Sequence, residues 1–158
     1  MVQVDTYILN PDYDPEQLDV PLVYNIQDKF VTAEFGLDYG YITIHDGKTL
    51  FDGSMEILPE YWLIVLQIIG NAFDKGRDSW EFPTRLTFEI DGDQLTITQE
   101  DDTYHFDRKS VIHALLEACK AVLMTPKIYI NYHHPYELSK EMYLKIIEEL
   151  HSKNESLA

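Results

Sequence analysis

Apolar and polar residues alternate with a period of two over three stretches late in the chain. Leu86, Phe88 and Ile90 alternate with Thr87 and Glu89, Leu95 and Ile97 with Thr96 and Thr98, and Tyr104 and Phe106 with Thr103 and His105. Successive side chains of a strand point to opposite faces, so this pattern predicts an antiparallel meander with one core face and one wet face. Asp91-Gly92-Asp93 and Glu100-Asp101-Asp102 are its turns, and they cap alternate ends. Upstream, residues 2–9, 20–26 and 30–35 read as strands, with a Pro- and Asp-rich loop at 10–16. Residues 39–45 and 48–51 flank Asp46-Gly47, which predicts a hairpin with a type I′ turn.

Helical periodicity appears three times. From Pro59 to about Phe73 only Glu60, Gln67, Asn71 and Asp74 are polar, one narrow stripe, so that helix is buried over most of its circumference. A second helix spans 108–124, capped by Asp107 or Ser110, with Ser110, His113, Glu117 and Lys120 as its polar stripe. A third runs from Pro135 to about His151 with Leu138, Met142, Ile146 and Leu150 inward. Residues 75–79 read as a turn and 127–132 as a short strand. The order predicts an α+β fold, an antiparallel sheet with about three helices packed on one face. It forms a single domain over 1–151, followed by a disordered C-terminal tail at 152–158.

Charge changes this picture more than composition does. The net charge is −16 over 158 residues. Residues 1–74 carry 13 acids and 2 bases, residues 75–107 carry 9 and 3, and residues 108–158 carry 6 and 7, for nets of −11, −6 and +1. A surface of this sign repels phosphate and anionic lipid and attracts a basic partner, so neither direct nucleic-acid binding nor membrane binding is expected. The N-terminus has no basic and apolar leader pattern, and no apolar run approaches the ~20 residues of a membrane span. A cytoplasmic location is therefore expected. Cys119 is the only cysteine and falls on the apolar arc of the second helix, where a small core residue is the plain reading.

Motifs for catalysis are missing: there is no Gly-x-Ser-x-Gly, P-loop, His-Glu-x-x-His, Gly-x-Gly-x-x-Gly or Cys-x-x-Cys. No catalytic residue, cofactor or metal is therefore assigned. His113 and Glu117 have metal-ligand spacing but coincide with the solvated stripe, and adjacent His133 and His134 point apart in a strand. The acidic turns lack the Asp ladder and distal Glu of a calcium loop. Tyr13, Tyr39, Tyr41, Trp80 and Tyr104 lie among carboxylates, an arrangement that can hold Lys and Arg or simply half-bury a sheet.

The stretch Tyr61–Met124 resembles small acidic bacterial immunity proteins that neutralise polymorphic toxins. The similar part is the apolar helix with Trp62, then Thr84-Arg85-Leu86-Thr87-Phe88-Glu89-Ile90-Asp91-Gly92-Asp93-Gln94-Leu95-Thr96-Ile97-Thr98, then the second helix. The resemblance implies a non-catalytic protein that occludes the active site or substrate groove of a toxin. It carries over no binding residue.

The expected function is thus an acidic inhibitor of a basic partner, a toxin and in particular a nuclease, whose groove for phosphate is basic. Asp38, Tyr39, Glu81, Asp91, Asp93, Asp101 and Asp102 are the expected contact residues, because turns leave carboxylates free to project. The alternatives are a phage anti-defence or nucleic-acid-mimic protein, an enzyme using His105, Asp107 or His133, and a structural homo-oligomer joined through the helix at 59–73.

Overall fold

The computed structural model of the chain describes residues 1–9, 14–17, 22–25, 31–33, 39–54, 56–81, 85–124, 128–130 and 140–157. The architecture is α+β, and the described residues form two antiparallel sheets, a parallel pair of strands and three helices. The first sheet has five strands: β1 (Gln3–Leu9), β2 (Val23–Asn25), β4 (Tyr39–His45), β5 (Leu50–Asp52) and β6 (Glu56–Ile57). Its order is β2-β1-β4-β5, with β6 also pairing to β4. The second is a four-stranded meander, β7 (Arg77–Trp80), β8 (Leu86–Asp91), β9 (Gln94–Gln99) and β10 (Asp102–Asp107). A parallel pair joins β3 (Val31–Ala33) to β11 (Ile128–Ile130).

Alternation places the core. Ile8, Ile42, Ile44 and Phe51 are buried on one face of the first sheet, and Leu86, Phe88, Leu95, Ile97 and Phe106 on one face of the second. Both sets join a single cluster with α1 (Leu58–Lys75) and α2 (Arg108–Met124). α1 packs on β4, β6, β7 and β8, α2 packs on β1, β9 and β10, and α3 (Lys140–Ser156) lies over α2 and α1. The apolar circumference of α1 is explained from within the chain: Tyr61, Trp62, Val65, Leu66, Ile68, Ile69 and Ala72 are all buried in this cluster. Gly70 faces Leu150 of α3. Lys153 of α3 reaches Asp74 at 3.1 Å.

Side chains join the two larger sheets, from β5 and the residues after it to β9 and β10. Gln99 bridges them: its Nε2 donates to Asp52 O at 2.9 Å, and its Oε1 accepts from Ser54 N at 3.1 Å. Phe51 and Tyr104 pack edge to face at 5.2 Å on the same seam. Gly53 admits no side chain there, since a Cβ would lie 2.9 Å from Ile42 O and 2.7 Å from the Tyr61 hydroxyl.

Four expectations are corrected. Residues 75–79 are not all turn, because β7 begins at Arg77. Its polar sequence hides an edge strand held by pairing to β8 and by Asn71 Nδ2, which donates to Asp78 at 2.9 Å. Gly76 alone is the stop, left-handed at φ 86°, with its N–H on Ala72 O as a helix C-cap. The Asp46-Gly47 turn is not type I′, which needs two positive φ angles. Only Gly47 (φ 92°) is positive, and it follows Asp46, whose backbone N–H donates to Thr49 O at 3.3 Å. In Asp91-Gly92-Asp93-Gln94 the positive residue is Gly92, at φ 58°. Residues 152–156 are not a disordered tail: α3 continues to Ser156, and Asn154 is fully buried. Finally, β3 pairs in parallel with β11 rather than joining a single antiparallel sheet. The Pro135 start of the last helix and His133-His134 lie outside the described residues.

Candidate functional site

Register fixes what the meander shows to solvent. On the face away from the helices, Ser79, Thr87, Thr98 and Thr103 lie opposite one another across four strands, with Thr87 itself buried. Arg77, Glu89, Thr96 and His105 form the next row, and Asp91, Gln94 and Asp107 the last. Ser79 Oγ and Thr87 Oγ1 are 2.9 Å apart, and Thr96 Oγ1 lies 3.1 Å from His105 Nδ1. This wet face ends, at the Gly92 turn, in a broad open dish of about 490 Å³. Its lining is Asp46, Asp91, Asp93, Gln94, His105, Phe106 and Asp107.

The four carboxylates come from three places in the fold. Asp46 belongs to the β4–β5 turn, where its Oδ1 accepts from Thr49 N at 2.7 Å and Lys48 N at 2.9 Å. Those two N–H groups hold its carboxyl below the usual Asp range. Asp107 is the N-cap of α2: its Oδ2 accepts from Ser110 Oγ at 2.6 Å and Ser110 N at 3.0 Å. The Ser110 hydroxyl, then the Ser110 N–H, lower its carboxyl, with smaller help from Arg108 and Lys109. Both groups therefore stay anionic to lower pH than a free aspartate. Asp91 and Asp93 project, exposed, from the β8–β9 turn. Asp46 joins them from the other sheet, lining the same dish.

Among the described residues, no cation pairs with any of these four. The ion pairs found there are Arg85–Glu81, Lys109–Glu155, His151–Glu117 and Lys153–Asp74. Nor, among the described residues, does any group of three or more His, Cys, Asp or Glu side chains stand in an arrangement that could hold a metal ion.

The seven residues expected to bind a partner do not gather at one place. Asp91 and Asp93 line the dish. Asp101 and Asp102, exposed, follow the opposite end of β9, as the alternation of turns predicts. Six strand residues at ~3.4 Å each put roughly 20 Å between the two ends. Glu81 sits at that far end, next to Trp80, and is paired with Arg85 at 3.3 Å. Tyr39 opens β4, opposite Ile57, and Asp38 lies outside the described residues. Of the aromatics near acids, Tyr104 packs on Phe51, while Tyr41 stacks on Tyr7 at 5.1 Å on the outer face of the first sheet. Burial, then Tyr7 and Asp52, push the Tyr41 phenol up.

Sequence reasoning missed Asp46 as a site residue, since it comes from the other sheet, and named Asp107 only for the enzyme alternative, although register puts it in one row with Asp91 and Gln94. The signal for Asp107 was present as a cap, and His105 and Asp107 share the wet face by simple alternation. Cys119 is a buried core residue, its thiol pushed up to about 12 by burial. Among the described residues no helix is long and apolar enough to cross a membrane. Comparison with protein-family models, with curated proteins and with solved structures finds no match to this chain.

Proposed function

We propose that this chain is a non-catalytic binding protein whose acidic dish and adjoining wet sheet face engage a basic protein. The observation that carries the reading is the convergence of Asp46, Asp91, Asp93 and Asp107, from two turns and a helix cap, with no ion-pair partner among the described residues. Like charges brought together repel, and water screens them only in part. A partner that lays Lys or Arg into the dish relieves that repulsion and forms charge-assisted hydrogen bonds. Thr96 in the row beside the dish, and Ser79, Thr98 and Thr103 in the row beyond, supply neutral donors and acceptors for the rim of such an interface.

The partner class follows from the sign of the charge and from the resemblance to immunity proteins: a toxin with a basic groove, such as a nuclease, which the bound protein occludes. The enzyme alternative places His105 and Asp107 in the same dish, so the test must separate the two. Immobilised protein is used to capture basic proteins from the source cell, in parallel with an Asp91→Asn/Asp93→Asn variant and an Asp101→Asn/Asp102→Asn variant. The reading expects one partner held by the wild type and the second variant, released by salt, lost by the first variant, and inhibited at one-to-one stoichiometry. Turnover of a small molecule that is lost in His105→Ala would replace this reading with the enzyme.

A further inference from the structure

Arg108 is the bulkiest fully buried side chain among the described residues, with 1% of its surface exposed. Among those residues no carboxylate lies within ion-pair distance of it. Its charge is met by oxygens of neutral groups instead. Nη1 donates to Asn154 Oδ1 at 2.7 Å and to Asn154 O at 3.0 Å, and Nη2 donates to Leu157 O at 3.0 Å. These acceptors gather at the C-terminal end of α3, where the helix dipole is negative and a cation is favoured. On its other side, Nε donates to Gly92 O at 2.9 Å, and the Arg108 backbone N–H donates to Asp93 O at 2.7 Å. Asn154 completes the set by donating from Nδ2 to Lys109 O at 3.0 Å.

Both central carbonyls of the acidic turn therefore end on one residue, and that residue is held by the last turn of the chain. We infer that Arg108 is a positioning residue through which the C-terminal end of α3 fixes the 91–94 turn against Asp107, so that the acidic rim is set before any partner arrives. The inference rests on the reading of the dish as the binding surface. A guanidinium is indifferent to its surroundings only in water; once buried it needs every acceptor it has. Loss of the α3 oxygens turns the side chain toward solvent and frees Gly92 O with it. A turn that is ordered only on binding would weaken the complex by the cost of ordering it. Arg108 also puts a positive charge next to Asp107 in the chain, which favours that carboxylate while leaving its outward face open.

The test is amide hydrogen exchange on the full chain for wild type, Asn154→Ala, Asn154→Asp and Arg108→Lys. Asn154→Ala is the mild variant, since it keeps Arg108 and both backbone acceptors. The inference expects exchange at residues 92–95 and 108 to quicken by roughly tenfold or more in Asn154→Ala, while amides of Ile44, Ile97 and Leu115 stay within a few-fold of wild type. Arg108→Lys, which keeps the charge and loses the fork, behaves the same way. Asn154→Asp, which keeps the Nη1 acceptor, restores protection. Exchange at 92–95 that merely follows the core amides, or does not change, overturns the inference and leaves Arg108 as an ordinary stabilising contact.

A titration with hexalysine separates this from the reading beneath it. Released turn amides in Asn154→Ala, with hexalysine affinity unaltered in Asp91→Asn/Asp93→Asn, leave the Arg108 inference standing and remove the dish as the cation site. Protected turn amides in Asn154→Ala, with hexalysine binding lost in Asp91→Asn/Asp93→Asn, keep the dish and discard the inference.

Discussion

Removing residues 152–158 separates two accounts of this molecule. The deletion takes away three of the four hydrogen bonds made by the Arg108 guanidinium, those to Asn154 O, Asn154 Oδ1 and Leu157 O, and the Asn154–Lys109 bond. It also removes the Lys153–Asp74 and Lys109–Glu155 pairs. Those four side chains are between 46% and 60% exposed, so the pairs contribute at most ~1 kcal/mol each and are neglected. The dominant loss is at the guanidinium. Hydrogen bonds to charged groups contribute about 1.5–3 kcal/mol, and a buried charge stripped of its partners costs about 3–5 kcal/mol. The deletion also opens a path for water, which puts the expected cost at the lower end, about 3–4 kcal/mol. For a domain of this length each kcal/mol moves the melting temperature by about 2–4 °C, so a fall of roughly 6–16 °C is expected. Thermal melts followed by circular dichroism, with urea titrations for free energies, give the measurement. Arg108→Met should be costly in the full chain and much cheaper in the shortened one, because the two changes remove the same interactions. A shortened chain that melts within 2 °C of the full one, with additive effects, would refute the account of Arg108.

Three further outcomes follow from the packing and the caps. Leu66→Asp and Leu116→Asp each place an unpaired carboxylate where the side chain is 3% and 0% exposed, and each should cost several kcal/mol, read by urea unfolding. Glu100 has φ 52°, a left-handed conformation costing a non-glycine residue about 1–2 kcal/mol, so Glu100→Gly should be neutral or stabilising by up to ~1 kcal/mol. Asp46 and Asp107 have carboxyls lowered in the folded state, so their stabilisation is complete above about pH 4, the unfolded Asp value, and is lost as the pH falls through the folded values. Asp107→Ala should cost about 1 kcal/mol at pH 7 as a lost cap, and melts between pH 5 and 2.5 should show a shallower acid slope than wild type.

The parts of the fold that were legible in the sequence are those in which a local period reports burial. The 86–106 meander, the 39–52 hairpin and the helices at 58–75 and 108–124 all repeat apolar residues at the spacing of their own element. β7 was not legible because an edge strand exposes one side and borrows its partner bonds from β8, leaving Arg-Asp-Ser with no alternation to see. The last turn of α3 reads Ser-Lys-Asn-Glu-Ser, polar all round, and its one buried residue is an asparagine whose burial depends on an arginine 46 positions away. The parallel pairing of β3 with β11 is equally invisible, because it joins segments nearly a hundred residues apart. For the site, the sequence supplied the exposed acids of the turns and the wet face beside them. It could not supply their grouping. That grouping depends on the end of the meander at which a turn falls, and on how the two sheets are joined through Gln99 and the Phe51–Tyr104 contact. Asp91 and Asp93 consequently fall together with Asp46 and Asp107, while Asp101, Asp102 and Glu81 fall at the other end.

The central claim is that the dish, rather than the acidity of the chain as a whole, recognises a basic protein. Its most direct measurement is the association rate of the captured partner, followed by stopped flow from 50 to 500 mM salt. Wild type is compared with Asp91→Asn/Asp93→Asn and with Asp101→Asn/Asp102→Asn, two variants of identical net charge at opposite ends of one sheet. Steering toward a local site is screened over ~8 Å at physiological salt, so charge near the contact counts for more than charge roughly 20 Å away. The account predicts a rate that falls by roughly tenfold or more across the salt range in wild type, a much slower rate with a flatter salt dependence for the 91/93 variant, and near-wild-type behaviour for the 101/102 variant. Equal slowing by the two variants, or a rate indifferent to salt in all three proteins, would contradict it.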